Sequence, residues 1–297
     1  MTTDSENIVR HRGIRKGLYV IPTMFTAANI GMGFLAIIYS LRGFQVVSQD
    51  VALAASYFDY ASIAIGLAIL FDTLDGRVAR MTRTATEIGV QFDSLADVLT
   101  FGIAPISLVY SWGIASVFGE ATTEYRFGVF LLFMYLMCGT FRLARFNIQS
   151  TRPRVLLEGT PKLDKKNFVG LPIPPAAGLL ASIVHFAPEP LSTYSVEWPR
   201  FYAVMTMTLI AILGLLMVST LKYTSFKNFG TGRRSFYIIL LIAALGMTIY
   251  LYSRYVLIVL AGTYVAHGVI WYIITAIRPR REKSATAGVS GSADSGA

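Results

Sequence analysis

Four of the chain's seventeen acidic residues fall within 26 positions: Asp72, Asp75, Asp93 and Asp97, in FDTLDGRVARMTRTATEIGVQFDSLADVLTFG. Asp72 and Asp75 are spaced i, i+3, and Asp93 and Asp97 i, i+4, so each pair shares one face of a helix. Residues 76 to 92 contain the turn of a helical hairpin whose ends adjoin, which lets the four carboxylates converge. Carboxylates at that density repel unless hard divalent cations neutralise them. The pattern points to Mg2+ or Mn2+, with two ions bridged between oxygens. Two such ions suit phosphoryl chemistry, because together they hold the phosphate and the departing oxygen.

The neighbours of the aspartates fit the same purpose. Gly76 and Ala79 remove side-chain bulk beside the carboxylates, and Gly89 does so one turn before Asp93, as expected where a ligand comes close to backbone. Small-residue helix packing accounts for Gly76 and Gly89 equally well. Arg80, on the loop side of Asp75, is placed to contact a diphosphate; anchoring at a membrane face is the other reading for Arg77, Arg80 and Arg83.

The elements that must carry these residues follow from composition. The chain has 297 residues, 54% of them hydrophobic and 14% charged, with mean hydropathy +0.57. A soluble domain has roughly 25% charged residues, so the expectation is an all-α integral membrane protein. A buried charge in a membrane costs about 2.5–3.5 kcal/mol on insertion scales, which makes a four-aspartate cluster there a functional site. Apolar runs at 18–41, 52–72, 88–112, 127–148, 172–188, 200–221, 235–253 and 255–277 give about eight transmembrane helices. The first run is too long for a signal-peptide core and stays as a span. Residues 1–17 form an N-terminal segment containing a short interfacial helix, 18–277 the transmembrane catalytic domain, and 278–297 a disordered polar tail.

The net charge of +9 is a matter of topology. With these spans, 22 of the 26 basic residues fall on one side, only Arg42, Arg126, Arg200 and Arg254 lying opposite. The positive-inside rule then places both termini and the aspartate turn in the cytosol, and no nucleic-acid partner is expected. The lone Cys138 excludes an internal disulfide. His11, His185 and His267 lack ligand spacing, and Asp59, about 20 Å up the helix from Asp72, lies away from the metal site.

Taken in order, Asp72, Asp75, Gly76, Ala79, Arg80, Gly89, Asp93 and Asp97 match DxxDGxxARx8GxxxDxxxD without departure. This pattern resembles the signature of the CDP-alcohol phosphotransferases. The resemblance implies a six-helix catalytic core, here followed by two C-terminal spans. It also implies two divalent metals held by the aspartates, CMP as leaving group, and a homodimer. Carried over residue by residue, Asp72, Asp75 and Asp93 are metal ligands, Asp97 assists the metals and serves as the base, and Gly76, Ala79, Arg80 and Gly89 receive the nucleotide and diphosphate.

NIGMGF at 29–34, DSLADVLTFGIAP at 93–105, FRLARFN at 141–147 and FVGLPIPPAA at 168–177 resemble the phosphatidylserine-forming branch of that family. The implied substrates are CDP-diacylglycerol and L-serine, met at an inner-membrane site facing the cytosol. Arg142 and Arg145, spaced i, i+3 with Asn147 beside them, are candidates for binding the acceptor's carboxylate; anchoring of a helix end is the competing reading. Pro172, Pro174 and Pro175 set the start of the fifth span. The alternatives are the same chemistry on glycerol 3-phosphate, an inositol phosphate or choline, an intramembrane prenyltransferase, and a divalent-cation transporter, for which the acids should lie near the membrane midplane.

Overall fold

The computed structural model describes residues 3–82, 87–151, 167–194, 198–219, 222–224, 244–268 and 270. Among the described residues, six helices are long and apolar enough to cross a membrane: Thr23–Val46, Val51–Val78, Ile88–Val117, Thr123–Ile148, Pro199–Val218 and Ala244–Gly268. The protein is a multi-pass helical membrane protein. Its large apolar side chains divide into a buried set, including Phe58, Phe101, Leu108 and Tyr135, and an outward set, including Phe34, Leu67, Phe133 and Leu215, as expected when lipid rather than water bounds the bundle.

Helix α1 (Thr3–Val46) takes in both the basic N-terminal stretch and the first span. Helix α2 (Val51–Thr82) packs between α1 and the later helix α7 (Ile173–Phe186). Its inner face carries Ala54, Ala61, Ala64 and Ala68, all buried, and such small residues let helix backbones approach closely. Helix α2 continues to Thr82 and α3 (Glu87–Asp97) follows; residues 83–86, within the expected turn, lie outside the described residues. Both aspartate pairs therefore sit on helix rather than loop.

The third span departs from regular helix immediately after Asp97. It passes through a π-helical stretch (Val98–Ile103), α4 (Ala104–Val109), a second π-helical stretch (Tyr110–Ile114) and α5 (Ala115–Val117). The local cause is legible: Pro105 has no N–H to give to the Phe101 carbonyl four residues back. The Ala104 N–H reaches back five residues to the Leu99 carbonyl, and the Tyr135 hydroxyl of α6 (Thr123–Thr151) donates to the Phe101 carbonyl at 3.2 Å.

Strand β1 (Asn167–Val169) leads to α7 (Ile173–Phe186), followed by α8 (Leu191–Tyr194), α9 (Pro199–Val218) and β2 (Lys222–Thr224). As the sequence indicated, Pro172 precedes α7, and Pro174 and Pro175 fall in its first turn, where a missing N–H breaks no helical bond. The 14 residues of α7 are short for a span, and nine of them are buried, so it is a core helix enclosed by its neighbours.

The all-helical expectation missed the ribbon in which Phe168 pairs with Tyr223, antiparallel. Its geometry depends on Gly170, at φ +82°, where an added Cβ would lie 2.3 Å from the Met217 carbonyl oxygen. The last described helix, α10 (Ala244–Gly268), runs unbroken through the boundary expected at 253–255. Arg254 alone, with neither glycine nor proline beside it, does not end a helix. In α10 only Val265 and Gly268 are buried among the described residues, whereas the third span buries residues from Ala96 to Ile114: α10 stands at the periphery and the third span at the centre.

Candidate metal centre

Asp72 from α2 and Asp93 and Asp97 from α3 come together, each offering a carboxylate oxygen within 4.8 Å of the others. All three are half-buried. Oxygen donors at this spacing, supplied only by carboxylates, are what a hard divalent cation requires. Asp75 is buried one turn beyond Asp72, and its Oδ2 accepts a hydrogen bond from the Thr26 hydroxyl of α1. It remains within electrostatic range of Asp93 and Asp97.

Among the described residues, the buried side-chain atoms without a hydrogen-bond partner are Asn29 Nδ2 and Oδ1, Asp97 Oδ1, Ser111 Oγ and Arg142 Nε. A buried polar atom left unpaired costs about 1–3 kcal/mol, so a group of them marks a place where a ligand completes the bonding. Three of these four residues belong to the aspartate end. Arg142 of α6 lies within electrostatic range of Asp97 and of Tyr264 of α10. Asn29 stands one turn from Thr26, and its carbonyl accepts from Thr100 Oγ1 at 3.3 Å, one turn from Asp97.

Helix α1 approaches this closely because of Gly33: a Cβ there would lie 2.9 Å from the Thr100 Cα. Asn147 donates through Nδ2 to Ser94 Oγ at 2.8 Å, tying the end of α6 to the residue after Asp93. Arg145, on the same helix as Arg142, is half-buried. Gly76 follows Asp75 directly, and Gly89 lies exposed one turn before Asp93. Ala79 and Arg80 belong to α2, but their side chains lie outside the described residues.

Sequence reasoning did not find Thr26, Asn29 or Ser94 as parts of the site. Their signal was present as polar residues on one face of an apolar span: Thr26, Asn29, Gly33, Ala36 and Ser40 recur at three- and four-residue steps and all are buried. Their partners are 49 to 71 residues away, beyond what local spacing shows.

In this helical bundle, carboxylates of two adjacent helices thus converge near Arg142, whose Nε has no hydrogen-bond partner among the described residues. Residues 19–249 match the CDP-alcohol phosphatidyltransferase family, and the chain belongs to it. It is similar to CDP-diacylglycerol–serine O-phosphatidyltransferase of Helicobacter pylori, 30% identical over 88% of this chain and 94% of that one. It is also similar to the enzyme of the same name from Methanocaldococcus jannaschii, at 32% identity over 72% of this chain and 78% of that one. Archaetidylserine synthase of Methanothermobacter thermautotrophicus is 31% identical over 71% and 72% of the two chains.

Proposed function

We propose that this enzyme transfers the phosphatidyl group of CDP-diacylglycerol to the hydroxyl of L-serine, giving phosphatidylserine and CMP. The family and the names of the relatives support the chemistry and the acceptor. The observation that carries the reading is the convergence of Asp72, Asp93 and Asp97 within 4.8 Å around a buried, unpaired Asp97 oxygen.

In this reading Asp72, Asp75, Asp93 and Asp97 hold two ions of Mg2+ or Mn2+. Bound there, the ions would neutralise the diphosphate and the charge that develops as CMP departs. Thr26 fixes the orientation of Asp75, as an outer partner does for a metal-binding carboxylate. Gly76, Ala79 and Gly89 leave room for the nucleotide, and Arg80 meets the diphosphate. Serine's hydroxyl oxygen forms the new bond to the phosphatidyl phosphorus as the bond to CMP breaks. Asp97, whose Oδ1 has no other partner, accepts the hydroxyl proton. Arg142 offers an unspent N–H to the serine carboxylate. Arg145 adds charge one turn further along the helix, and Asn147 is held in place by Ser94.

The distribution of basic residues supports a site facing the cytosol, in a multi-pass protein of the bacterial inner membrane. The family resemblance supports a homodimer and a single catalytic domain over 18–277.

The test is CMP release by purified protein given CDP-diacylglycerol, Mn2+ or Mg2+, and one acceptor at a time: serine, glycerol 3-phosphate, an inositol phosphate or choline. Serine is expected to give the fastest release, with phosphatidylserine as product and complete loss on chelation. Faster release with another acceptor refutes the serine assignment. Release that persists in chelator refutes the metal centre.

A further inference from the structure

A cavity of about 720 Å3 lies beside the aspartates, between α2, α7 and α10. Its mostly apolar wall includes Leu70 and Gly66 of α2, Gly178 and His185 of α7, and Tyr264 and Ser253 of α10. One end adjoins the site: Leu70 is two residues from Asp72, and Tyr264 is within electrostatic range of Arg142. The other end is polar. His185 Nδ1 lies 2.6 Å from Asp59 Oδ1, and His185 Nε2 lies 2.9 Å from Ser253 Oγ, so three helices meet in one hydrogen-bonded chain. Along α2 the wall runs from Leu70 to Ser62, about 12 Å of helix axis, and Asp59 stands one turn further.

An Asp–His–Ser order also suggests a hydrolytic relay. Ser253, however, sits inside an unbroken helix whose N–H groups are committed to helical bonds, and no oxyanion donor faces it among the described residues. The position of the trio suggests a different role: it sets polar, hydrogen-bonded groups at the end of the α2 and α7 walls that lies away from Asp72.

Resting on the phosphatidyl-transfer reading above, we propose that the cavity takes one acyl chain of the CDP-lipid and that Asp59, His185 and Ser253 form its floor. The floor sets the longest chain that gains from binding. Up to it, each methylene exchanges mobile lipid neighbours for a fitted apolar wall, a gain of packing contacts rather than of transfer from water. At the floor a further methylene gains nothing unless it breaks a hydrogen bond of the pair formed by the buried His185 and the half-buried Asp59. Ser253 and Tyr264 lie beyond residue 249, where the family match ends, whereas Asp59 and His185 lie within it. Gly66 gives the cavity its width halfway along: a Cβ added there meets nothing within 4 Å, so a larger side chain enters the cavity without displacing protein.

The experiment measures kcat/KM on CDP-diacylglycerols with one tail fixed and the other lengthened stepwise. In the native enzyme kcat/KM is expected to rise with each methylene and then level off. Gly66→Leu should bring the plateau to shorter chains, costing the longest substrates about tenfold or more relative to the shortest. His185→Ala should move the plateau to longer chains. A CDP-diacylglycerol carrying a diazirine on the last carbon of one tail should label peptides containing His185 or Ser253, a readout independent of turnover and of how the variants fold. The floor is refuted if Gly66→Leu lowers all chain lengths equally and the label falls elsewhere, with CMP release intact. Absence of CMP release at every chain length instead refutes the phosphatidyl-transfer reading, and the ruler with it.

Discussion

Asp59 and Asp72 stand 13 residues apart on α2, about 20 Å along its axis, and the fold surrounds them with opposite company. Asp59 meets the His185 ring at 2.6 Å, and that ring is itself bonded to Ser253. Asp72 meets two more carboxylates, with an unpaired oxygen on Asp97 beside them. At the first site protein groups complete the bonding. At the second, carboxylates are gathered and Asp97 Oδ1 is left without a hydrogen-bond partner among the described residues, an arrangement that arriving cations or a ligand would stabilise. An acid within a membrane helix is thus not in itself a mark of catalysis; what the neighbouring helices bring to it decides.

The contrast can be broken most sharply at Asp97. Asp97→Asn is expected to lower kcat by about 10²–10⁴-fold, the usual contribution of a general base, while Mn2+ still binds, as monitored by the paramagnetic resonance of the ion. Near-native turnover with metal bound removes the base from the mechanism. A smaller effect is expected at Thr26→Val, which deletes the donor to Asp75. Its Mn2+ requirement should rise by about 10–100-fold, with turnover recovered at high Mn2+. A metal titration that superimposes on the native curve would show that Thr26 serves packing alone.

At the other end the readout should be stability. His185→Ala leaves Asp59 without its ring partner and should cost about 1–3 kcal/mol, seen as a lower Tm in detergent, with the Mn2+ titration unchanged. Ser253→Ala removes one hydrogen bond and should cost about 1 kcal/mol. If either variant shifts the metal titration as Thr26→Val does, the two sites are not independent.

The aspartate site was legible in the sequence because its parts are local. The spacings i, i+3 and i, i+4 and a short hairpin fix the convergence of Asp72, Asp93 and Asp97, and Pro172, Pro174 and Pro175 announce the start of α7. What escaped is long-range. Thr26 reaches Asp75 across 49 residues and Asp59 reaches His185 across 126, and no periodicity encodes which helix faces which. The boundary placed at Arg254 failed for another reason: one charge in an apolar run looks like a span end, yet the helix carries it through because its own backbone bonds stay intact. The π-helical stretches after Asp97 were likewise foreshadowed only by Pro105, whose effect depends on Tyr135 being there to take up the Phe101 carbonyl.

The missing side chain at Gly33 makes α1 a lever. Because α1 rests directly on the backbone at Thr100, anything that thickens this contact tilts the helix, and the displacement is delivered to Thr26, seven residues or about 10 Å away. A substitution with no polar atom, touching neither substrate nor aspartate, would then present as a cofactor-deficiency phenotype, rescued by supplying more metal rather than more protein. Screens that sort variants by growth with and without added manganese would file such a change with the ligand mutants, although its cause is a single methyl group between two helices.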